Sequence, residues 1–190
     1  MAKITVGLTG GIASGKSVAT EILRSFGAEI IDADIVSRQV GQKELVQAFP
    51  DCATDGIIDR KKLRKVVFAD EKKLKLLNGI THPLIVDEIL RKRDETNGIA
   101  VIVAPLLVEV GLHKYCNKII TITALLETRI KRVMERDNIS ESLAYNMIQA
   151  QTSDETKIAI ADFVVQNDGT EQELGCKLKK WWSQNIENVY

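Results

Sequence analysis

The sequence predicts a three-layer α/β fold in which helices cover both faces of a five-stranded parallel sheet. Short apolar segments typical of strands alternate with segments whose apolar residues recur at helical spacing, and this alternation is typical of a parallel sheet. The segment at residues 99–104 is almost wholly apolar, as expected for a strand covered on both faces. The predicted strands are residues 4–9, 29–32, 99–104, 119–123 and 163–166.

A glycine-rich loop joins the first predicted strand to a helix that should stop at Gly27. Residues 10–17 match the phosphate-binding pattern of Gly, four residues, Gly-Lys-Ser/Thr. Glycines let backbone N–H groups approach phosphate oxygens, and the helix N-terminus adds partial positive charge. Lys16 can reach the β- and γ-phosphates, and Ser17 offers a hydroxyl to Mg²⁺. The loop therefore predicts a nucleoside triphosphate site; a glycine-rich turn without a ligand is the alternative. The expected nucleotide-binding residues are Gly10, Gly11, Ile12, Ala13, Ser14, Gly15, Lys16 and Ser17.

Composition and charge indicate one globular domain without a nucleic-acid or membrane partner. The chain has 190 residues and a formal net charge of zero, so no overall basic field attracts nucleic acid. Its three cysteines lie far apart without a CxxC spacing, which disfavours structural zinc and favours reduced thiols. No apolar run reaches the ~18 residues that span a membrane, and no signal-peptide pattern precedes the first strand. We expect a cytoplasmic protein that is a monomer or weak homo-oligomer.

Two regions interrupt the alternation of strands and helices. Residues 35–98 show helical patterns but no convincing strand, with a break expected near His82-Pro83. Residues 125–157 carry arginines around two amphipathic helices, with Ser140 as an N-cap between them. Such a flap beside a phosphate loop favours a lid, although an exposed pair of charged helices is the alternative. We expect a core of residues 1–34, 99–124 and 158–190, a substrate-binding lobe of residues 35–98 and a lid of residues 125–157.

Two aspartates, Asp32 and Asp34, stand at the end of the second predicted strand. Because ligands of parallel sheets bind beyond the carboxyl ends of the strands, we expect both acids to share a crevice with the loop. Alternation directs both side chains to the same side while the chain stays extended. One carboxylate can then accept a proton from a substrate hydroxyl while the other holds Mg²⁺ through water. The alternative is that Asp34 only caps a helix that begins at Ile35.

Two large classes of nucleotide-binding proteins lack their signatures here. Many ATPases place a metal-binding acid where this chain has Ala104-Pro105, and the Asn-Lys-x-Asp motif of GTPases is absent because Ile120 stands where its Asp belongs. A small-molecule kinase remains, with a nucleoside monophosphate or a shikimate-like hydroxyl as alternative acceptors. From a different class, a nucleotide-binding switch without kinase activity is the other alternative.

Several further motifs follow the phosphate loop in a fixed order. They are Asp32-Ala33-Asp34 with Arg38, Gly56, Asp59-Arg60, Leu63, Phe68, Leu77-Asn78, His82-Pro83, Pro105-Leu106-Leu107 with Glu109, Arg132, Arg136, Gln151, Ala161-Asp162 and Asn167. In this order they resemble the dephospho-CoA kinase family over nearly the whole chain. The resemblance implies a phosphate-loop kinase fold with a core, a helical substrate lobe and a lid.

The resemblance also implies an activity and roles for particular residues. The activity is transfer of the γ-phosphate of ATP to the ribose 3′-hydroxyl of dephospho-CoA, the last step of CoA biosynthesis, with Mg²⁺. Asp34 would be the general base, while Lys16, Arg132 and Arg136 would stabilise charge on the transferred group. The residues implied on the substrate side are Asp34, Arg38, His82, Leu106 and Glu109; Asn167 is implied on the nucleotide side, and Ser17 and Asp32 at the metal.

Four features depart from the family's pattern. Ala13 stands where the family usually has glycine, Arg129 where glutamine is more frequent, and Lys157 where arginine is usual. If position 13 needs a positive φ, alanine costs about 1 kcal/mol or more. Lysine at position 157 lacks the bidentate fork of arginine. The segment between Val40 and Gly56 is also short for the family.

Overall fold

The structure, a computed structural model, describes residues 4–151 and 153–187. Its contacts separate two compact units. The core unit comprises the described residues before Asp32 and after Lys92, and the helical unit is Asp32–Lys92.

Strands and helices alternate along the core unit, while helices dominate the helical unit. The strands are β1 (Ile4–Gly10), β2 (Glu29–Asp32), β3 (Ala53–Thr54), β4 (Ile57–Ile58), β5 (Ile99–Val103), β6 (Lys118–Thr123) and β7 (Phe163–Gln166). The α-helices are α1 (Lys16–Ser25), α2 (Ala33–Gln39), α3 (Gln42–Ala48), α4 (Arg60–Phe68), α5 (Glu71–Glu95), α6 (Leu126–Asp137), α7 (Glu141–Gln149), α8 (Asp154–Ala159) and α9 (Glu171–Trp182). Short 3₁₀ or π turns cover Pro50–Cys52, Leu112–Tyr115 and Ser183–Glu187.

A five-stranded sheet in the order β2-β5-β1-β6-β7 forms the centre of the core unit. β1 pairs in parallel with β5, with Val6 opposite Val101, and also with β6, with Leu8 opposite Ile120. Every residue of β1 is buried, so the loop that follows it starts from the middle of the sheet. The predicted fold class and sheet are confirmed, with each strand within one residue of its expected ends.

Large apolar side chains from α1 and α9 pack against the sheet. Leu23 and Leu178 are fully buried, and the rings of Phe163 and Trp181 stack with centroids 5.4 Å apart. The stop of α1 at Gly27 is confirmed: Gly27 has φ 88° and its N–H donates to the Arg24 carbonyl at 3.0 Å. This left-handed turn is the usual glycine ending of a helix.

The helical unit contains a small hairpin, so the expectation of no strand in residues 35–98 is wrong. β3 and β4 are two residues each and pair antiparallel through a turn at Asp55 and Gly56. Both turn residues have positive φ, 51° and 75°, as a two-residue hairpin turn requires. The Asp-Gly pair is the sequence signal for this hairpin, whereas the strands are too short to show an alternation of apolar and polar residues.

The expected break at His82-Pro83 is also wrong, because α5 is a continuous helix of 25 residues, Glu71–Glu95, with Pro83 inside it. Proline removes one helical hydrogen bond and crowds the carbonyl four residues earlier. That residue is Gly79, which is exposed, so water can bond the carbonyl that proline leaves without a donor. No helix in the described part of the chain is long and apolar enough to cross a membrane.

Candidate active site

The phosphate loop leaves the central strand β1 and enters α1 under tight steric constraints. A Cβ on Gly10 would lie 2.5 Å from the Ile122 carbonyl oxygen, and one on Gly15 would collide with the Asn167 amide. Gly15 also has φ 100°. Glycine is therefore required at both positions by the close approach of neighbouring elements.

Ala13 adopts the left-handed conformation, with φ 58°. Because φ is positive at this position, alanine costs about 1 kcal/mol or more relative to an unstrained backbone. Ala13 and Ile12 pack against buried Val133 and Ile148, which belong to α6 and α7. Burial of the methyl group, worth about 0.8 kcal/mol per carbon, offsets part of this strain.

Side chains from outside the loop hold three of its carbonyl groups. The Ile12 carbonyl accepts from Arg129 Nε at 2.9 Å, the Ala13 carbonyl from Arg132 at 3.3 Å, and the Ser14 carbonyl from Asn167 Nδ2 at 2.8 Å. Because a trans peptide directs its N–H opposite to its carbonyl, the N–H groups of the following residues point away from these donors. The Ser14 N–H donates to the Gly11 carbonyl at 3.2 Å, so the loop turns the N–H groups of Ala13 and Gly15 to the opposite side, as phosphate binding requires.

The first turn of α1 presents the remaining phosphate-binding groups. α1 begins at Lys16, and its N-cap, Gly15, provides no side-chain acceptor to the first N–H groups. Ser17 is exposed and Lys16 is half-buried. The N–H groups at the helix N-terminus are thus available to a phosphate anion, and the Ser17 hydroxyl is available to the cation that accompanies it.

The region expected as a lid contains three helices, not two, since α8 follows α6 and α7. The N-cap at Ser140 is confirmed: its hydroxyl accepts from the Leu143 N–H. Arg132 reaches the loop, whereas Arg136 forms an exposed ion pair with Asp137 at 2.7 Å. The hydrogen bonds that Arg136 donates to the Asp137 carboxylate raise the pKa of Arg136 and lower the pKa of Asp137.

Arg129 and Asp168 also contribute to this region, although the sequence predicted no role for either residue. Arg129 lies one turn before Arg132 on α6 and contacts the loop directly. Burial alone would raise the pKa of Asp168, but hydrogen bonds from the Leu125 N–H, Gln166 and Thr128 and the charge of Arg132 lower it. Asp168 is therefore a carboxylate that attracts Arg132. The i, i+3 spacing of the two arginines was the available signal for Arg129.

Asp32 and Asp34 have different local roles. α2 begins at Ala33, and Asp32 is its N-cap, because Oδ1 accepts from the Asp34 N–H at 2.8 Å and the Ile35 N–H at 3.4 Å. The assumption of an extended chain through both acids is therefore wrong, and so is the alternative that Asp34 caps the helix. Asp34 lies in the first turn of α2 with its side chain exposed.

The helical unit has a pocket of about 290 Å³ that is largely apolar with two arginines. Its lining residues include Ser37, Arg60, Arg64, Phe68, Leu74 and Asn78. The Arg64 guanidinium lies 5.6 Å from the centroid of the Phe68 ring. Arg60, Phe68 and Asn78 belong to the motifs that carry the family resemblance, which implied no role for them, and Arg64 is not part of those motifs.

The other expected substrate residues lie in both units. In the helical unit, Arg38 is exposed, and its backbone carbonyl accepts a hydrogen bond from the Arg60 side chain at 3.0 Å. Burial lowers the pKa of His82, so its imidazole is neutral at pH 7. In the core unit, Leu106 is exposed after β5, and Glu109 Oε1 lies 4.0 Å from Lys157 Nζ. Lys157 is only 2% exposed, so Glu109 is the carboxylate beside a buried cation.

Comparison with known proteins identifies the family. A model of the dephospho-CoA kinase family matches residues 4–173. The chain belongs to the dephospho-CoA kinase family. A dephospho-CoA kinase of Fusobacterium nucleatum is 36% identical over 189 residues, covering 95% of this chain and 98% of that protein. One of Arabidopsis thaliana is 37% identical over 187 residues, covering 92% of this chain and 81% of that protein.

Solved structures agree with this family and its fold. A Thermus thermophilus protein of known crystal structure is 29% identical with a TM-score of 0.84, covering 98% of this chain and 100% of that chain. A dephospho-CoA kinase from Campylobacter jejuni is 27% identical with a TM-score of 0.64, covering 95% and 96%. A shikimate kinase from Acinetobacter baumannii is 13% identical with a TM-score of 0.57, covering 96% and 94%, and shares the fold alone. As a dephospho-CoA kinase family member, the chain is an ATP-dependent kinase of CoA biosynthesis.

Proposed function

We propose that this chain transfers the γ-phosphate of ATP to the ribose 3′-hydroxyl of dephospho-CoA, giving CoA and ADP. The family match over residues 4–173 is the observation that carries the proposal. The hydrogen bonds that side chains donate to the carbonyl groups of the phosphate loop support it. In the reaction the 3′-oxygen bonds to the γ-phosphorus, the bond from that phosphorus to the β–γ bridging oxygen breaks, and the hydroxyl proton passes to a carboxylate. Such a transfer depends on positioning and on stabilising the charge of the moving group.

On the nucleotide side, the loop and α1 bind the triphosphate. The N–H groups of Ala13 and Gly15 and the N-terminus of α1 attract phosphate oxygens. Lys16 adds a full positive charge, and Asn167 supports the loop from behind through the Ser14 carbonyl. We assign Arg132 and Arg136 to the lid of residues 125–157, where they would turn from Ala13 and Asp137 to the phosphates as the lid closes over bound ATP.

The donor set near the loop fits a magnesium ion that arrives with ATP. The Ser17 hydroxyl is exposed, and the described residues contain no cluster of three or more His, Cys, Asp or Glu side chains that could hold a metal by itself. Oxygen ligands from Ser17 and the phosphates suit Mg²⁺, which keeps several waters. Asp32 would act through such a water, using the oxygen that does not cap α2. Bound Mg²⁺ neutralises charge on the β- and γ-phosphates.

On the acceptor side, we assign the proton transfer to Asp34. Its carboxylate is exposed and does not cap α2, so it can accept the proton of the 3′-hydroxyl without loss of local structure. Glu109 and Leu106, after β5, would contact the same substrate. Glu109 lies 4.0 Å from the buried ammonium of Lys157.

We assign acceptor binding to the helical lobe of residues 35–98. Dephospho-CoA joins a long arm of methylene and amide groups to a pyrophosphate, and the pocket of the helical unit combines apolar walls with Arg60 and Arg64. Arginine forks suit phosphate oxygens. Arg38 would add a positive charge to this acceptor-binding lobe, and the neutral His82 would add a ring that can form hydrogen bonds.

A coupled ADP-release assay with alternative acceptors tests the proposal. We expect ADP release with Mg-ATP to depend on dephospho-CoA and to be negligible with nucleoside monophosphates or shikimate. The 3′-deoxyribose analogue of dephospho-CoA is the matched control, because it keeps every binding group except the attacking hydroxyl. ADP release that is no faster with dephospho-CoA than without an acceptor contradicts the proposal.

A further inference from the structure

Arg129 forms an ion pair directly beneath the phosphate loop. We propose that Arg129, together with Asp154, is a positioning residue that holds the loop at Gly11 and Ile12 in its nucleotide-binding conformation. The inference rests on the proposed use of this loop to bind ATP. It concerns a residue that acts through the backbone of the loop and not on the substrate.

The guanidinium of Arg129 donates hydrogen bonds to two different partners. Nε donates to the Ile12 carbonyl at 2.9 Å and one terminal nitrogen donates to Asp154 Oδ2 at 2.8 Å. Arg129 is only 7% exposed, so water competes little for these bonds. Because the guanidinium is planar and rigid, binding Asp154 on one side fixes the direction of the donor on the other.

The backbone of the loop lies against this pair. A Cβ on Gly11 would collide with the Arg129 guanidinium and lie 2.9 Å from Asp154 Oδ1. The Ile12 N–H donates to Gln151 Oε1 at 2.6 Å, so both polar backbone groups of Ile12 are held by side chains from outside the loop. With the Ile12 carbonyl fixed, the N–H of Ala13 is directed to the opposite side of the peptide plane, where a phosphate can accept from it.

A direct electrostatic attraction between Arg129 and the phosphates is the competing explanation. The two explanations predict opposite results when Asp154 loses its charge. If Arg129 acts as a charge, removing the neighbouring carboxylate leaves more positive potential at the loop, and ATP should bind more tightly. If Arg129 acts by holding the loop, removing its anchor loosens the Ile12 carbonyl, and ATP should bind more weakly.

Isothermal titration calorimetry of the whole chain with a non-hydrolysable ATP analogue and Mg²⁺ separates these explanations. We expect Asp154→Asn and Arg129→Met each to weaken binding about tenfold, the scale of losing one charge-assisted hydrogen bond. Arg24→Gln is the matched control, since it removes an exposed arginine paired with Glu21 on α1, and it should leave the affinity unchanged. Tighter binding by Asp154→Asn, or unchanged binding by both loop-side variants, overturns the proposal.

Steady-state kinetics adds a readout that a general loss of stability would not give. The KM for ATP should rise about tenfold in both variants while the KM for dephospho-CoA stays within about twofold of the parent. Arg129→Lys keeps the charge but cannot serve both partners with one rigid fork, so its affinity should stay low; full recovery in this variant overturns the positioning role. Asp154→Asn is nearly isosteric, and circular dichroism confirms its fold before titration. A parent chain that does not bind the analogue contradicts the proposed function, whereas a binding parent with unaffected variants contradicts only this inference.

Discussion

Asp32 and Asp34 stand two residues apart, and the structure predicts that neutralising them has separable effects. Asp32 accepts from two N–H groups of α2, at 2.8 and 3.4 Å, of which only the first has the length of a strong hydrogen bond. Replacing such a cap by alanine typically costs about 1 kcal/mol. For a chain of this length, that corresponds to a fall in melting temperature of about 2–4 °C.

Asp34→Asn should leave the melting temperature almost unchanged, because the side chain is exposed and caps nothing. The first-turn charge interacts with the helix dipole by about 0.3–1 kcal/mol at most. Turnover should nevertheless fall about 10²–10⁴-fold if the carboxylate accepts the hydroxyl proton. Binding of the ATP analogue should be preserved, since asparagine retains the size of the side chain.

Melting curves and the dephospho-CoA-dependent ADP assay, measured on Asp32→Ala, Asp32→Asn and Asp34→Asn, test this reasoning. Asparagine is as good a cap as aspartate, so Asp32→Asn should keep the melting temperature that Asp32→Ala loses. If Asp32 supports Mg²⁺ through water, Asp32→Asn should also require more Mg²⁺ for half-maximal rate. Near-normal turnover in Asp34→Asn refutes the role of Asp34 as the base. A melting temperature that falls more in Asp34→Asn than in Asp32→Ala refutes the assignment of Asp32 as the cap.

Three further predictions concern charge and reactivity. Lys16→Ala should lower turnover by about 10²-fold or more with an unchanged circular dichroism spectrum, because it removes a charge at the β- and γ-phosphates; near-normal turnover contradicts that role. The hydrogen bond from Arg91 lowers the pKa of Glu88 to about 2. The stabilisation of the fold by this ion pair is therefore complete above the unfolded pKa near 4.5, and this stabilisation is lost as the pH falls toward 2. Glu88→Gln should therefore flatten the decline in urea stability between about pH 4.5 and 2, and an unchanged decline argues against the pair. Burial raises the pKa of Cys116 to about 12, so iodoacetamide at pH 8, mapped by mass spectrometry, should label exposed Cys176 first and Cys116 only after unfolding.

The fold was predictable because its signals are local. A parallel strand covered on both faces is a short apolar run, and the segments at β1, β5 and β6 show this directly. The phosphate loop was equally clear, because glycines at fixed positions are required by backbone geometry that the structure then shows at Gly10 and Gly15. Errors arose where the local rule was incomplete, as at Pro83, where the residue four positions earlier, Gly79, is exposed and a proline is tolerable inside α5.

The residues around the loop were harder to predict because their partners are distant in sequence. The Ile12 N–H meets Gln151 across 139 positions, and the Ser14 carbonyl meets Asn167 across 153. Arg129 was noted only as a departure from the family's pattern, since nothing in the neighbouring sequence shows that Asp154 would anchor it. Periodicity reports which face of an element is buried, but it does not report which side chain lies opposite.

The sequence by itself determined the five strands of the parallel sheet, the phosphate loop and the family, because these depend on residue types at short, fixed spacings. The tertiary structure decided the local roles of the polar groups: Asp32 caps α2 and leaves Asp34 exposed, and Ala13 takes a left-handed conformation beside the helices of residues 125–157. It also decided that Arg129 and Arg132 contact the loop while Arg136 pairs with Asp137. Hydrogen bonds and ion pairs act over about 3 Å, so only the folded positions of these groups determine which of them meet.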